Sequence, residues 1–274
     1  MARAFSVLSW NVEHFGAKDK KKKKFVKDPA PIIDLIANRN ADIVAIYEVR
    51  SDVVFRPLIE EMPSHHFFIT EGPQLQEILV GVRKTVPAFM TQKTEFKAGQ
   101  STLRPGLLLT PYVDQAFYPL LFLHVKSMPD PKGFGLRYDM TKRAFDFRKV
   151  LKKATGGNEA NYIFLGDLNT MGMDYFGKDK DIDGGREIRE LKRSAGRRNM
   201  RLLEKTQDAT YWSRKYGTSD LDHVVAAKHL EFRSFGGKQV SVTGWPDEPT
   251  DQKKAAWVKK YSDHAILYFE VQKV

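Results

Sequence analysis

The stretch YIFLGDLNT, residues 162 to 170, runs apolar through Ile163, Phe164 and Leu165 and turns polar just past Gly166. In an extended chain, side chains two apart point the same way. Asp167 and Asn169 therefore project together beyond the carboxyl end of one strand, where α/β sheets place ligand sites. A strand that merely stops at an Asp/Asn turn fits the same letters. The rest of the chain has to choose between the two.

Other strand-like segments are Ala4–Trp10, Ile43–Tyr47, His66–Thr70, Ile78–Val82, Gly106–Pro111, Ala116–Val125, Leu221–Ala226 and Ala265–Val271. Between them, PAPIIDLIANRN opens with prolines and sets Ile32, Leu35 and Ile36 on one helical face. Asp139–Lys153 and Arg186–Met200 also read as helices, both rich in Lys and Arg. A strand-helix-strand start followed by hairpin-like strands predicts a mixed α/β domain, a pair of sheets covered by helices. The polar, turn-rich stretch at 236–261 reads as a surface insertion in a single domain spanning 1–274.

The chain has 274 residues, is 42% hydrophobic and carries a formal charge of +11. That charge points to a polyanionic partner, most readily nucleic acid. The densest run, KDKKKKKFVKD (Lys18–Asp28), directly follows the first strand; a solvated loop is its plainest reading. There is no cysteine, so disulfides and thiolate sites are excluded. No apolar run is long enough to span a membrane, and MARAFSVLSWNV reads as a first strand and not as a signal peptide. The expectation is a cytoplasmic, monomeric protein with no membrane partner.

Several strands share the oddity of YIFLGDLNT. Asn11 closes the first, with Glu13 and His14 behind it, and Glu48 closes the second. His124 and Lys126 lie near the end of YPLLFLHVKS, Asp222 opens a strand, and Asp263 and His264 open the last. Ionised carboxylates at strand margins cost several kcal/mol each unless a cation or hydrogen bonds compensate. Oxygen donors without cysteine suit Mg²⁺ or Mn²⁺, and histidines beside carboxylates supply a proton acceptor and its orienting partner. Hard metal, base and basic surface together describe phosphate-ester hydrolysis.

Taken in order, SWNVEHF, YEV, LHVKS, FLGDLNT, LDHV and SDHAIL resemble the endonuclease/exonuclease/phosphatase superfamily, which includes pancreatic-type deoxyribonucleases and apurinic/apyrimidinic endonucleases. The resemblance implies a four-layer α/β sandwich, two packed and mostly antiparallel sheets flanked by helices. It implies Glu48, Asn11 and Asp263 as metal ligands for Mg²⁺ or Mn²⁺, and His264 as the general base oriented by Asp222. Asp167 and Asn169 would position the water and contact phosphate, His124 would bind a phosphate oxygen, and Arg104 and Lys126 would hold substrate phosphate. The implied activity is metal-dependent hydrolysis of phosphodiesters, with DNA as the expected substrate and partner. The alternative is a phosphomonoesterase or phospholipase of the same fold, acting on inositol phosphate or sphingomyelin.

Tyr47 stands where the family usually has Gln, which alters hydrogen bonding behind Glu48. Arg143 and Arg148 either extend a backbone-binding face or are solvated helix charges. Trp212 and Trp245 either stack on bases or pack in the core. His14 and Glu13 have no assigned role and read as structural or surface residues. DKDIDGGREIRE, Asp179–Glu190, satisfies the EF-hand loop pattern and is a candidate Ca²⁺ site, although an acidic lead-in to a helix is favourable without any ion.

Overall fold

Leu120–His124, Ile163–Asp167 and Asp222–Ala227 are buried along their whole length. Strands covered on both faces need a layer on each side. The computed structural model, which describes residues 2–19, 21, 24–50, 52–73, 76–175 and 181–274, supplies those layers. In chain order come β1 (Arg3–Asn11), α1 (Pro29–Arg39), β2 (Ile43–Val49), α2 (Phe55–Glu61), β3 (His65–Ile69), β4 (Glu77–Arg83) and β5 (Ala88–Lys93). Next are β6 (Gly106–Val113), β7 (Ala116–Phe117), β8 (Leu120–His124), α3 (Pro131–Ala154), β9 (Ile163–Asp167), α4 (Gly184–Gly196) and β10 (Met200–Leu202). The last are β11 (Tyr211–Ser213), β12 (Gly217–Ser219), β13 (Asp222–Ala227), β14 (Ser241–Thr243), α5 (Asp251–Lys260) and β15 (Ile266–Gln272).

One sheet is ordered β14-β15-β1-β2-β4-β3 and the other β10-β13-β9-β8-β6-β5, with β7 on β6 and a separate β11-β12 ribbon. Within the sheets β1–β2 and β8–β9 pair in parallel and the other named pairs are antiparallel. Phe5, Val7, Ile43 and Ala45 of the first sheet meet Leu107, Phe122, Leu165 and Val224 of the second in one buried cluster. A second cluster joins the outer face of the second sheet to Met140, Ala144 and Phe145 of α3 and to Leu191 and Ala195 of α4. A third joins the first sheet to Ile32, Ile33 and Ile36 of α1 and Leu58 of α2. The result is the expected four-layer sandwich. Each fully buried Ile or Leu contributes about 1.5–3 kcal/mol to holding the layers together.

Local chemistry sets the helix ends. Asp28 accepts from the Ala30 amide before the prolines of α1, and Asn40 closes that helix in the left-handed region. α3 starts two turns earlier than Asp139, because Asp130 caps it by accepting from Lys132 N and Gly133 N, both at 3.0 Å. Its glycines disguise that start in the sequence. α4 ends at Gly196, short of the expected Met200, which instead opens β10.

The stretch at 236–261, expected as a surface insertion, contributes β14 to the sheet edge and α5 beside it, with Val240, Val242 and Trp245 buried. Trp212 is buried as well. Both tryptophans pack in the cluster between the sheets, so neither is placed to stack on a base. Among the described residues no helix is long and apolar enough to cross a membrane.

Candidate active site

Chain direction brings the polar strand ends to one edge of the sandwich. Asn11, His124 and Asp167 end β1, β8 and β9, whereas Asp222 starts β13, which runs antiparallel to β9. In the second sheet His124 and Asp222 both register opposite Asp167, so the three share one rung. His264 lies just before β15, antiparallel to β1, and so returns to the Asn11 end.

Glu48 sits in β2 where the pairing with β4 shifts register, and its φ is +63°. A bulge of this kind re-aims a side chain, and a left-handed non-glycine costs about 1–3 kcal/mol that surrounding contacts must offset. Its Oε2 accepts from His14 N at 3.1 Å and Gln76 Nε2 at 3.2 Å, and its Oε1 accepts from Asn11 Nδ2 at 3.4 Å. Burial raises its pKa, but the adjacent His14 outweighs burial and holds the carboxyl well below the usual range.

Asn11 links this carboxylate to the second sheet, because its Nδ2 also donates to Asp167 Oδ2 at 2.9 Å. Asp167, Asp222 and His264 form a buried group whose ligand atoms lie within 4.8 Å of one another. His264 Nδ1 meets Asp222 Oδ2 at 2.8 Å, leaving Nε2 toward Asp167 Oδ2 at 3.9 Å. Burial, opposed by His264 and reinforced by Asp222, raises the Asp167 pKa. Burial alone would lower that of His264, yet Asp222 and Asp167 hold it well above its ordinary value. His124, 3.5 Å from Asp167 and equally buried, moves the opposite way: desolvation and the Arg104 cation keep it neutral.

The remaining sequence-predicted residues are less tightly gathered. Asn169, at φ +48°, donates through its amide N to Asp167 Oδ1 and through Nδ2 to Val125 O. Arg104 is buried, feels Glu48 and Asp167, and donates to Gln76. Lys126 is half-buried after β8. Asp263 adjoins the group without a direct bond to Glu48; burial raises its pKa, against His264 and with Glu13. Arg143 and Arg148 are engaged by Asp139 and Glu159, as ordinary helix charges are.

The supporting residues carried no advance signal. Ser262 explains the serine of SDHAIL: its hydroxyl donates to Asn11 O at 2.6 Å and accepts from His264 N at 3.0 Å. Thr210 Oγ1 accepts from Leu221 N and Asp222 N, both at 2.9 Å. Lys205 Nζ donates to Asp222 O at 2.8 Å and pairs with Asp220. Tyr47, in place of the expected Gln, points between the sheets and accepts from Ser9 Oγ. It packs against Gly166, whose φ is +130° and whose added Cβ would lie 2.7 Å from the Tyr47 oxygen and 2.1 Å from Leu123 O. The glycine of GDLN is therefore a steric requirement.

His14, read from sequence as structural, reaches the site: its Nδ1 lies 2.7 Å from Glu48 Oε2. The lysine run returns to it through Lys27, which pairs with Glu13, while Lys20, Lys22 and Lys23 lie outside the described residues. In the EF-hand-like stretch Asp179 also lies outside them. Asp183 caps α4 by accepting from Arg186 N at 2.7 Å, and Glu190, two turns along that helix, pairs with Arg193. Asp181 Oδ2 accepts from Tyr175 N at 2.6 Å, and the described part of the stretch leads into the capped helix α4.

The chain belongs to the Endonuclease/Exonuclease/phosphatase family, whose profile matches residues 8–264. No curated protein matches it in sequence. Its fold is similar to that of D. rerio TDP2 complexed with a single-strand DNA product, with 16% identity, TM-score 0.64, and 98% of this chain and 99% of that one covered. It is also similar to ANGEL2, a 2',3'-cyclic phosphatase (13%, TM-score 0.67, 97% and 94% covered), and to the human Nocturnin catalytic domain with bound sulfate (15%, TM-score 0.61, 98% and 93%).

Proposed function

We propose that this member of the family is a divalent-metal-dependent phosphodiesterase and that its substrate is DNA. The observation that carries the reading is the continuous buried chain of contacts from Glu48 through Asn11 and Asp167 to His264 and Asp222. The donor set fits a hard cation: Glu48 is ionised, Asn11 carries an amide oxygen, and Asp167 is a buried and Asp263 a half-buried carboxylate, both with pKa values raised chiefly by desolvation, a cost that a cation would offset. Glu48, Asn11 and Asp263 would hold such an ion, with Asp167 alongside. When bound, it would supply charge neutralisation at a non-bridging phosphate oxygen.

The chain's own groups provide the remaining chemistry. Asp222 fixes the His264 ring through Nδ1, so Nε2 faces the attacking water; once a bound cation offsets the carboxylate charge that keeps the ring protonated, Nε2 would accept the water's proton. Asn169 and Asp167, tied together at 3.1 Å, orient that water against phosphorus. Neutral His124 donates a hydrogen bond to a phosphate oxygen, and Arg104 contributes a fixed cation behind it. DNA is favoured by the +11 charge and by the lysine-bearing loop that leaves β1 beside the site. The DNA product held by the similarly folded D. rerio TDP2 is consistent with this choice.

The test is a cleavage panel with Mg²⁺ or Mn²⁺ against EDTA, using plasmid, linear duplex, single strands, abasic duplex, RNA, an inositol phosphate and sphingomyelin. Metal-dependent cutting of DNA is expected. Hydrolysis confined to the inositol phosphate or the lipid would replace the nuclease reading with the phosphatase or phospholipase alternative.

A further inference from the structure

His14 is the residue whose position its sequence context explains least. The loop after β1 carries two consecutive left-handed non-glycine residues, Glu13 at φ +33° and His14 at φ +60°. Such strain persists where contacts hold it, and it gathers at functional sites. Here the contacts come from the site itself: Asn11 Oδ1 accepts from Glu13 N at 3.1 Å, and Glu48 Oε2 accepts from His14 N at 3.1 Å. The Glu13 carboxylate pairs with Lys27, whereas the His14 ring reaches Glu48.

The ring's placement is unlike that of a simple ion pair. Nδ1 is buried and 2.7 Å from Glu48 Oε2, yet the two do not meet the alignment of a good hydrogen bond. The lone pair of the unprotonated nitrogen would therefore point beside the carboxylate oxygen. Two neighbouring ligands on an ion with bonds of about 2.1 Å stand about 3 Å apart, close to the spacing of these two atoms.

Resting on the metal-dependent reading above, we propose that His14 Nδ1 is a ligand of the ion held by Glu48, and that the site therefore prefers a first-row transition ion such as Mn²⁺ to Mg²⁺. Imidazole suits transition ions, whereas Mg²⁺ is served by oxygen. One nitrogen donor added to an oxygen set shifts the preference without excluding Mg²⁺. His14 is thus a residue that sets metal specificity.

The probe is Mn²⁺ alone, followed by electron spin-echo modulation and by competition calorimetry against Mg²⁺, in the wild type and in His14→Asn and Glu48→Gln. Asparagine tolerates the left-handed backbone, so the loop keeps its path; unchanged circular dichroism and thermal midpoint check this. The expected result is a directly coordinated ¹⁴N signal in the wild type that His14→Asn abolishes while Mn²⁺ still binds. The Mn²⁺-over-Mg²⁺ affinity ratio should fall by at least the roughly tenfold that even an outer-sphere ligand partner can carry. A nitrogen signal that survives in His14→Asn, or is absent from the wild type, overturns the assignment to His14. Undiminished Mn²⁺ binding by Glu48→Gln overturns the metal-site reading itself, which separates the two failures.

Discussion

The inner wall of the site and its outer rim are built on different principles. The wall, His124, Asp167, Asp222 and His264, is buried and sits on or beside paired strands, so backbone register places its groups. The rim, Glu13, His14, Lys27 and Gln76, comes from connecting loops and is half-buried or more open. In the wall a lost group has no replacement, since water reaches none of these atoms freely and the surrounding dielectric is low. In the rim, solvent and counterions screen what side chains do. The contrast leads us to expect a division of labour: changes in the wall should move rate, and changes in the rim should move binding and its dependence on salt and metal.

That division can be broken by experiment. The largest effect is expected from His264→Ala, which removes the proposed proton acceptor from the wall. Its kcat in a metal-dependent hydrolysis assay should fall by roughly 100- to 10,000-fold with metal binding retained. Full activity would mean that the wall does not hold the base. Next comes Lys205→Met, behind the wall, which leaves Asp220 buried without its partner and frees the Asp222 carbonyl. Urea unfolding should show a loss of about 3–5 kcal/mol, most of it regained in Lys205→Met/Asp220→Leu. Equal destabilisation of both variants would show that the ion pair itself is needed. The smallest effect belongs to the approach to the rim. Changing Lys18, Lys21 and Lys24 to serine should leave kcat unchanged and flatten the salt dependence of DNA binding, by about 0.7–0.9 in slope for each lysine that neutralises a phosphate. An unchanged slope would remove the loop from the binding surface.

Much of the site is legible in the sequence because its polar groups lie at strand margins, and strands announce themselves by apolar runs. Asn11, Glu48, Asp167, Asp222 and His264 each follow or precede such a run directly. Gln76 and Lys205 have no comparable signature, since each reaches the site from a distant segment. His14 carries no sequence signal of its place, because nothing local says that a left-handed turn folds its ring back onto Glu48. Trp212 and Trp245 were ambiguous for the same reason: a tryptophan in a turn-rich stretch is assigned to core or surface only by what packs over it.

By itself, then, the sequence determined the alternation of strands and helices, the sandwich and the identities of the polar groups at its edge, because these depend on side-chain chemistry and short-range periodicity. Tertiary structure alone decided that Asp167 lies between His124 and Asp222, that Gly166 leaves room for Tyr47, and that His14 meets Glu48. Those outcomes depend on strand register, on the packing of two sheets and on φ angles that only a completed fold can hold, and none of these quantities is local to the residues involved.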